Sequence, residues 1–146
     1  SITYRVTCSR ACMAQWTRHR VGHSYTIESQ RFVNYNKVKF GKQITFIKPI
    51  KFDEWDTRQF FLFKQVMEES EKSYFKLLEA GLKPEDARNA LNNAVKTEMV
   101  ITSNLRALKD FIELRTTTHA QDEIRYLALD LQTQLRNKIP LIFEEA

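Results

Sequence analysis

The stretch Arg18-His19-Arg20-Val21-Gly22-His23-Ser24-Tyr25-Thr26-Ile27-Glu28-Ser29-Gln30-Arg31 puts three arginines, two histidines and three serine or threonine hydroxyls within fourteen residues. These are side chains that grip phosphate. Arginine presents a rigid planar fork of donors that matches a phosphate bidentately, and serine and threonine add short hydroxyl donors. Lysine and glutamate, which dominate solvated surfaces, are nearly absent from it.

Working outward, composition narrows what such a cluster holds. The chain has 146 residues, a hydrophobic fraction of 42% and a charged fraction of 28%, the profile of one soluble globular domain over residues 1–146. A net charge of +5 favours anionic partners such as nucleotides, folates or nucleic acid. No apolar run nears the roughly 18 residues of a membrane span, and the N-terminus lacks a signal layout, so a cytoplasmic protein with no membrane partner is expected. The three glycines, Gly22, Gly41 and Gly81, lie too far apart for a P-loop or a dinucleotide-binding fingerprint. Phosphate must therefore be held by side chains and helix ends. Cys8 and Cys12 lack further ligands at zinc spacing, so no metal is expected, and both read as ordinary half-buried residues.

The pattern along the chain predicts a helix-rich α+β domain. Thr3–Val6 is β-prone, and Ser9 is a plausible cap for a helix through Gln15 and Arg18, on which Gln15, Arg18 and His19 share a face. Val21-Gly22 breaks it. Residues 32–39 are rich in aromatic, β-branched and Asn residues, and Gln43–Ile47 reads as a strand ended by Pro49. From Asp53 to Ala80 the period is helical, with Phe60, Phe63, Met67, Tyr74 and Leu77 as a core stripe, and Gly81 stops it. Pro84 starts a short acidic-ended helix that carries Arg88. Thr97–Thr102 fits strand and helix equally. Ser103-Asn104 caps a helix ending near Arg115, and a last helix runs from about His119, with Ala120, Ile124, Leu127 and Leu131 inward, to Pro140.

With these residues in place, the chain resembles the flavin-dependent thymidylate synthase family. That family's signature is Arg-His-Arg, seven or eight residues, then Ser-x-Arg; here Arg18-His19-Arg20 is followed by eight residues and then Ser29-Gln30-Arg31. Ala87-Arg88-x-x-Leu91, Thr97-Glu98, Asn104-Leu105-Arg106, Phe111-x-x-Leu114-Arg115 and His119-Ala120-Gln121 follow in the family's order. The resemblance covers the chain from Tyr4 onward. It implies an α+β fold with a small antiparallel sheet. It also implies an enzyme that reductively methylates dUMP to dTMP, with FAD as cofactor and 5,10-methylenetetrahydrofolate and NADPH as co-substrates. Such enzymes are typically homotetramers with active sites shared between subunits.

The roles carry over residue by residue. Gln15, Arg18, Ser29, Gln30, Arg31 and Arg88 resemble dUMP contacts. Arg115 resembles the arginine held against the uracil ring and is the expected catalytic residue, since a fixed cation near a developing uracil anion lowers its energy. Arg18, His19, Arg20, Asn104, Arg106 and His119 resemble FAD contacts. Asp110 stands where relatives often carry Asn or His toward the flavin, and either reaches the cofactor, paired by Arg106 four residues earlier, or is a solvated helix residue. Glu28 either approaches dUMP or balances the local arginines. His23 has no family role.

Two departures stand out. Asn92 replaces a proline common in relatives. Relatives also carry a longer segment before the signature, including a flavin-contacting histidine, whereas seventeen residues precede Arg18. Two other function classes therefore stay open: a truncated or degenerate relative that binds nucleotide and flavin without turnover, and a basic nucleic-acid-binding domain. The last lacks any visible recognition motif, so no nucleic-acid partner is expected.

Overall fold

The computed structural model describes residues 1–31, 35 and 41–143. Apart from Tyr35, the aromatic and Asn-rich segment 32–39 lies outside the described residues. The elements are β1 (Ile2–Ser9), α1 (Arg10–Trp16), β2 (His23–Ile27), α2 (Thr57–Glu79), α3 (Pro84–Ala87), β3 (Lys96–Ser103), α4 (Leu105–Arg115), α5 (Asp122–Lys138) and α6 (Pro140–Phe143). The fold is the expected helix-rich α+β type. The three strands form one sheet in the order β1-β3-β2. It is antiparallel: Thr3 faces Thr102 while Arg10 N–H reaches the Val95 carbonyl, and Asn104 N–H reaches the Gly22 carbonyl while Glu28 N–H reaches that of Glu98.

The backbone groups into two compact units, one of Ser1–Val6, Cys12–Thr26 and Met99–Ala146, the other of Thr7–Ala11 and Ile27–Glu98. In the first unit, Trp16 stacks on Phe111 with ring centroids 4.5 Å apart, and both are fully buried. α4 begins as expected: the Asn104 side chain accepts from Ala107 N–H at 2.8 Å, so the cap fixes where the helix starts. Leu108, Ile112, Ile124 and Ala128 are buried, and α4 packs on α5. The α4 carboxyl end is closed by Arg125, whose Nε donates to the Thr116 carbonyl at 3.1 Å.

In the second unit the core is Tyr35, Ile44, Tyr74, Ala87 and Val95. A reciprocal capping box starts α2, with Gln59 N–H donating to Asp56 at 2.8 Å and Asp56 N–H donating to the Gln59 side chain at 3.0 Å. Gly81 ends it as expected: Leu82 N–H reaches back to the Leu77 carbonyl and Gly81 N–H to that of Leu78, with Gly81 at φ +94°. Asn92, where the resemblance leads one to expect proline, builds its own turn. Its Oδ1 accepts from Ala94 N–H at 2.9 Å, and its N–H donates to Ser70 Oγ at 3.3 Å.

Several expectations are corrected. α1 ends at Trp16, so Arg18 lies in the turn beyond it; the chain leaves the helix as Arg18 N–H and His19 N–H fold back onto the carbonyls of Gln15 and Trp16. Thr3–Val6 is the middle of a longer strand that includes Ser9, and Thr97–Thr102 resolves to strand β3. Gln43–Ile47 makes only an isolated antiparallel bridge, Phe46 with Val95. α2 starts at Thr57 because a separate 3-10 turn, Phe52–Glu54, precedes the capping box, and the last long helix starts at Asp122 rather than His119. Cys8, on β1, and Cys12, on α1, are buried outright rather than half-buried. The α2 stripe is core only at its C-terminal half: Tyr74 is fully buried, Phe63, Met67 and Leu77 are half-buried, and Phe60 is exposed, as are Phe61, Leu62 and Val66. Helical periodicity marks residues that share a face. It does not say what covers that face.

Candidate functional site

The expected site residues fall into two sets, one in each unit. Gln15, Arg18, His19, Arg20, Asn104, Arg106, Asp110, Arg115 and His119 belong to the first; Glu28, Ser29, Gln30, Arg31 and Arg88 belong to the second.

In the first unit the structure joins residues 96 positions apart. Arg115 sits in the last turn of α4, half-buried, and its Nε donates to His19 Nε2 at 2.8 Å. A second guanidinium nitrogen reaches the Gln15 carbonyl at 3.4 Å. The Gln15 side chain in turn donates to Gln121 at 3.4 Å. The His19 ring is braced edge-on by Phe111 at 4.9 Å, and the backbone that carries it is pinned by Tyr25, whose hydroxyl donates to the carbonyls of His19 at 2.5 Å and Trp16 at 3.1 Å.

This geometry settles the charge of His19. Its pKa is lowered from 6.5 to about 4, first by burial, then by the Arg115 charge and then by His23. Neutral His19 accepts at Nε2 and so carries its proton on Nδ1. The unfolded chain takes up this proton near pH 6.5, whereas the folded chain resists it until about pH 4. The His19 contribution to stability is therefore full above pH 6.5 and is lost as the pH falls toward 4. Denaturant midpoints across this window should show the wild-type advantage over His19→Asn shrinking toward low pH. A difference that stays flat would refute the neutral assignment.

The remaining residues of the first set are presented to solvent. Arg18, Arg20, Asn104, Arg106, Asp110 and His119 are all exposed. Asn104 spends its Oδ1 on the α4 cap, which leaves its Nδ2 as a donor. Among the described residues no ion pair joins Asp110 to Arg106, so the expected pairing is not made. The exposed donors, three arginines, one histidine and an amide, suit a cofactor's phosphates held by side chains rather than by a glycine loop.

In the second unit, Arg31 Nε donates to Glu85 Oε2 at 2.7 Å, while Arg88 Nε donates to the Glu85 backbone carbonyl at 3.0 Å. Glu85 thus draws together two arginines 57 positions apart in sequence. Ser29 Oγ accepts from Arg31 N–H at 3.3 Å, which curls the segment, and Gln30 is buried. Glu28 faces Tyr35, whose hydroxyl donates to its Oε1 at 3.3 Å, and the Tyr35 pKa is pushed up to about 12 by burial and then by the Glu28 charge.

Sequence reasoning missed Tyr25, Glu85, Tyr35 and Lys96, whose partners are set by turns and strand register. It also gave His23 no role. His23 Nδ1 lies 2.7 Å from Ser103 Oγ, which lies 3.2 Å from the Tyr4 hydroxyl, so His23 closes a polar chain beside the Phe111 ring.

Comparison with known proteins bears on both sets. A family model described as thymidylate synthase complementing protein matches residues 1–141. Among similar proteins, the flavin-dependent thymidylate synthase of Pyrococcus abyssi is 37% identical over 131 residues, 90% of this chain and 52% of its own length. That of Thermococcus kodakarensis is 42% identical over 121 residues, covering 83% and 48%. That of Geobacter sulfurreducens is 34% identical over 138 residues, covering 94% and 57%. The chain spans about half the length of the curated relatives it matches.

Proposed function

The chain belongs to the thymidylate synthase complementing protein family, and from that premise we propose that it catalyses the FAD-dependent reductive methylation of dUMP to dTMP. 5,10-Methylenetetrahydrofolate would donate the methylene and NADPH the reducing equivalents. The single observation that carries the proposal is the Arg115–His19–Gln15 contact set: residues distant in sequence converge on one arginine that is held in place and kept company by a neutral imidazole.

Ser29, Gln30, Arg31 and Arg88 would hold the nucleotide's phosphate and sugar, with Gln15 and Arg18 completing the dUMP contacts. Arg115, oriented by His19 and the Gln15 carbonyl, would lie against the uracil and stabilise negative charge that develops on the ring as the N3 proton is lost. His19 carries no charge of its own, so it orients the guanidinium without competing for that anion. Arg18, His19, Arg20, Asn104, Arg106 and His119 would hold FAD, which when bound supplies hydride to the pyrimidine. Asp110 would stand next to the same cofactor.

We propose a homotetramer with shared sites, for which the exposed apolar residues of α2, Phe60, Phe61, Leu62 and Val66, offer surface for subunit contact. No helix among the described residues is long and apolar enough to cross a membrane. We propose a cytoplasmic location.

The test is direct. Purified protein should be yellow, dUMP should perturb its flavin spectrum, and NADPH oxidation should depend on dUMP. A colourless protein that cannot be reconstituted with FAD would sink the proposal. A second reading, a family member that binds nucleotide and flavin without turnover, is favoured by the exposed Asp110 carboxylate, left without an Arg106 partner in the flavin-facing set. A yellow, dUMP-responsive protein that oxidises no NADPH would select it.

A further inference from the structure

β2 leads directly into the Ser29–Arg31 segment, and the residue that follows the strand is tied to β3: Glu28 N–H donates to the Glu98 carbonyl at 2.9 Å. Pairing in this register brings the Glu28 side chain to Lys96. Lys96 Nζ lies 3.5 Å from Glu28 Oε2 and 3.0 Å from Glu98 Oε1. The Glu28 and Lys96 side chains are only 20% and 26% exposed, so this pair is screened less than a surface one. Glu28 Oε1 is satisfied by the Tyr35 hydroxyl. Glu28 Oε2 is buried and accepts no hydrogen bond among the described residues; the cation beside it is Lys96.

A cavity of about 120 Å³ adjoins the cluster, lined by Glu28, Tyr35, Thr45 and Lys96 among others. A nucleotide needs several hundred cubic ångströms, so the cluster supports a site rather than being one. Its effect is on charge. Arg31 stands three residues after Glu28, so a carboxylate released from Lys96 would be free to turn toward that guanidinium. Such a pair would neutralise a cation meant for phosphate. With Lys96 and Tyr35 holding Glu28 on the β3 side, Arg31 instead reaches Glu85, whose exposed pairing a phosphate dianion can displace.

We infer that Lys96 is a positioning residue for dUMP binding: it holds the Glu28 carboxylate away from Arg31 and fixes the head of the Ser29–Arg31 segment. The inference rests on the dUMP reading of that segment. Lys96 touches no substrate atom and acts through Glu28.

The test is equilibrium dUMP affinity of the flavin-loaded protein, read by calorimetry alongside the KM and kcat for dUMP. Lys96→Met should weaken dUMP binding about tenfold and raise KM by as much while kcat moves less than about twofold, and Lys96→Arg should recover most of the loss. Because Lys96 acts through Glu28, the Glu28→Gln, Lys96→Met double variant should bind within about twofold of Glu28→Gln alone, whereas independent roles would add. Glu98→Gln, which leaves Lys96 to Glu28, should bind dUMP as well as wild type or more tightly; it keeps the test decisive where Lys96→Met does not fold. Unchanged affinity in folded Lys96→Met, additive losses in the double variant, or a tenfold loss in Glu98→Gln would each overturn the inference and leave the dUMP reading standing. A wild-type holoprotein that binds no dUMP would remove that reading, and the inference with it.

Discussion

Arg115→Met is expected to lower dUMP-dependent turnover by about two to three orders of magnitude, the usual loss when one preorganised charge-stabilising donor is removed. Methionine keeps the length and apolar character of the stem but deletes the fork that bonds His19 Nε2 and the Gln15 carbonyl. If Arg115 acts on charge that develops during reaction, kcat and kcat/KM should fall together while flavin content is retained. Arg115→Lys keeps the charge, but a point charge cannot hold two acceptors in one plane, so an intermediate loss is expected. An independent readout comes from His19. The Arg115 charge is the second cause of its depressed pKa, after burial, so His19 in Arg115→Met should titrate above its wild-type value of about 4 but stay below 6.5. Ring-proton chemical shifts across pH 3.5–7.5 would measure this. Turnover within threefold of wild type, with His19 shifted as stated, would remove Arg115 from the chemistry while leaving the contact geometry intact.

That contact shows where sequence reasoning stops. Residue types and local signals made the arginines, the hydroxyls of the opening segment and the capped α4 legible, because a cap and a helical stripe are properties of neighbours in the chain. The protonation state of His19 was not legible, since it depends first on burial in the folded chain and then on Arg115, 96 positions away. Strand β2 was hidden within the phosphate-gripping run: His23, Tyr25 and Ile27 alternate with exposed residues but are only half-buried, so the period-two signal is weak. Thr97–Thr102 was ambiguous because β3 is the central strand, with Thr97 and Ser103 buried among apolar residues, which blurs its alternation. The pairing of Lys96 with Glu28 follows from the β2–β3 register, a nonlocal quantity. The α2 stripe was legible as a face, but the exposure of Phe60 and the half-burial of Phe63 and Met67 were not.

The largest stability effect is expected at Gly22, within the signature run itself. Its φ of +78° places it where L side chains are strained, and its carbonyl accepts from Asn104 N–H at 2.9 Å. A Cβ added there would lie 2.6 Å from the Ala107 Cβ and closer still to Asn104 Nδ2. Ala107 is on the first turn of α4 and cannot give without moving the helix, and Asn104 is the residue whose side chain caps it. Backbone strain of about 1–2 kcal/mol and overpacking of about 1–3 kcal/mol therefore act together, and Gly22→Ala should cost roughly 2–5 kcal/mol in chemical denaturation. Gly81 isolates the two terms. It has φ +94° with nothing within 4 Å of an added Cβ, so Gly81→Ala should carry the backbone term alone, about 1–2 kcal/mol. The two variants should also part in function. Gly22→Ala displaces the α4 start that carries Asn104 and Arg106, so flavin should bind more weakly in whatever fraction stays folded, whereas Gly81→Ala should leave flavin affinity unchanged. Equal destabilisation of the two variants would show that α4 yields to the added methyl, and that the close approach of Gly22 to the cap does not hold that helix in place.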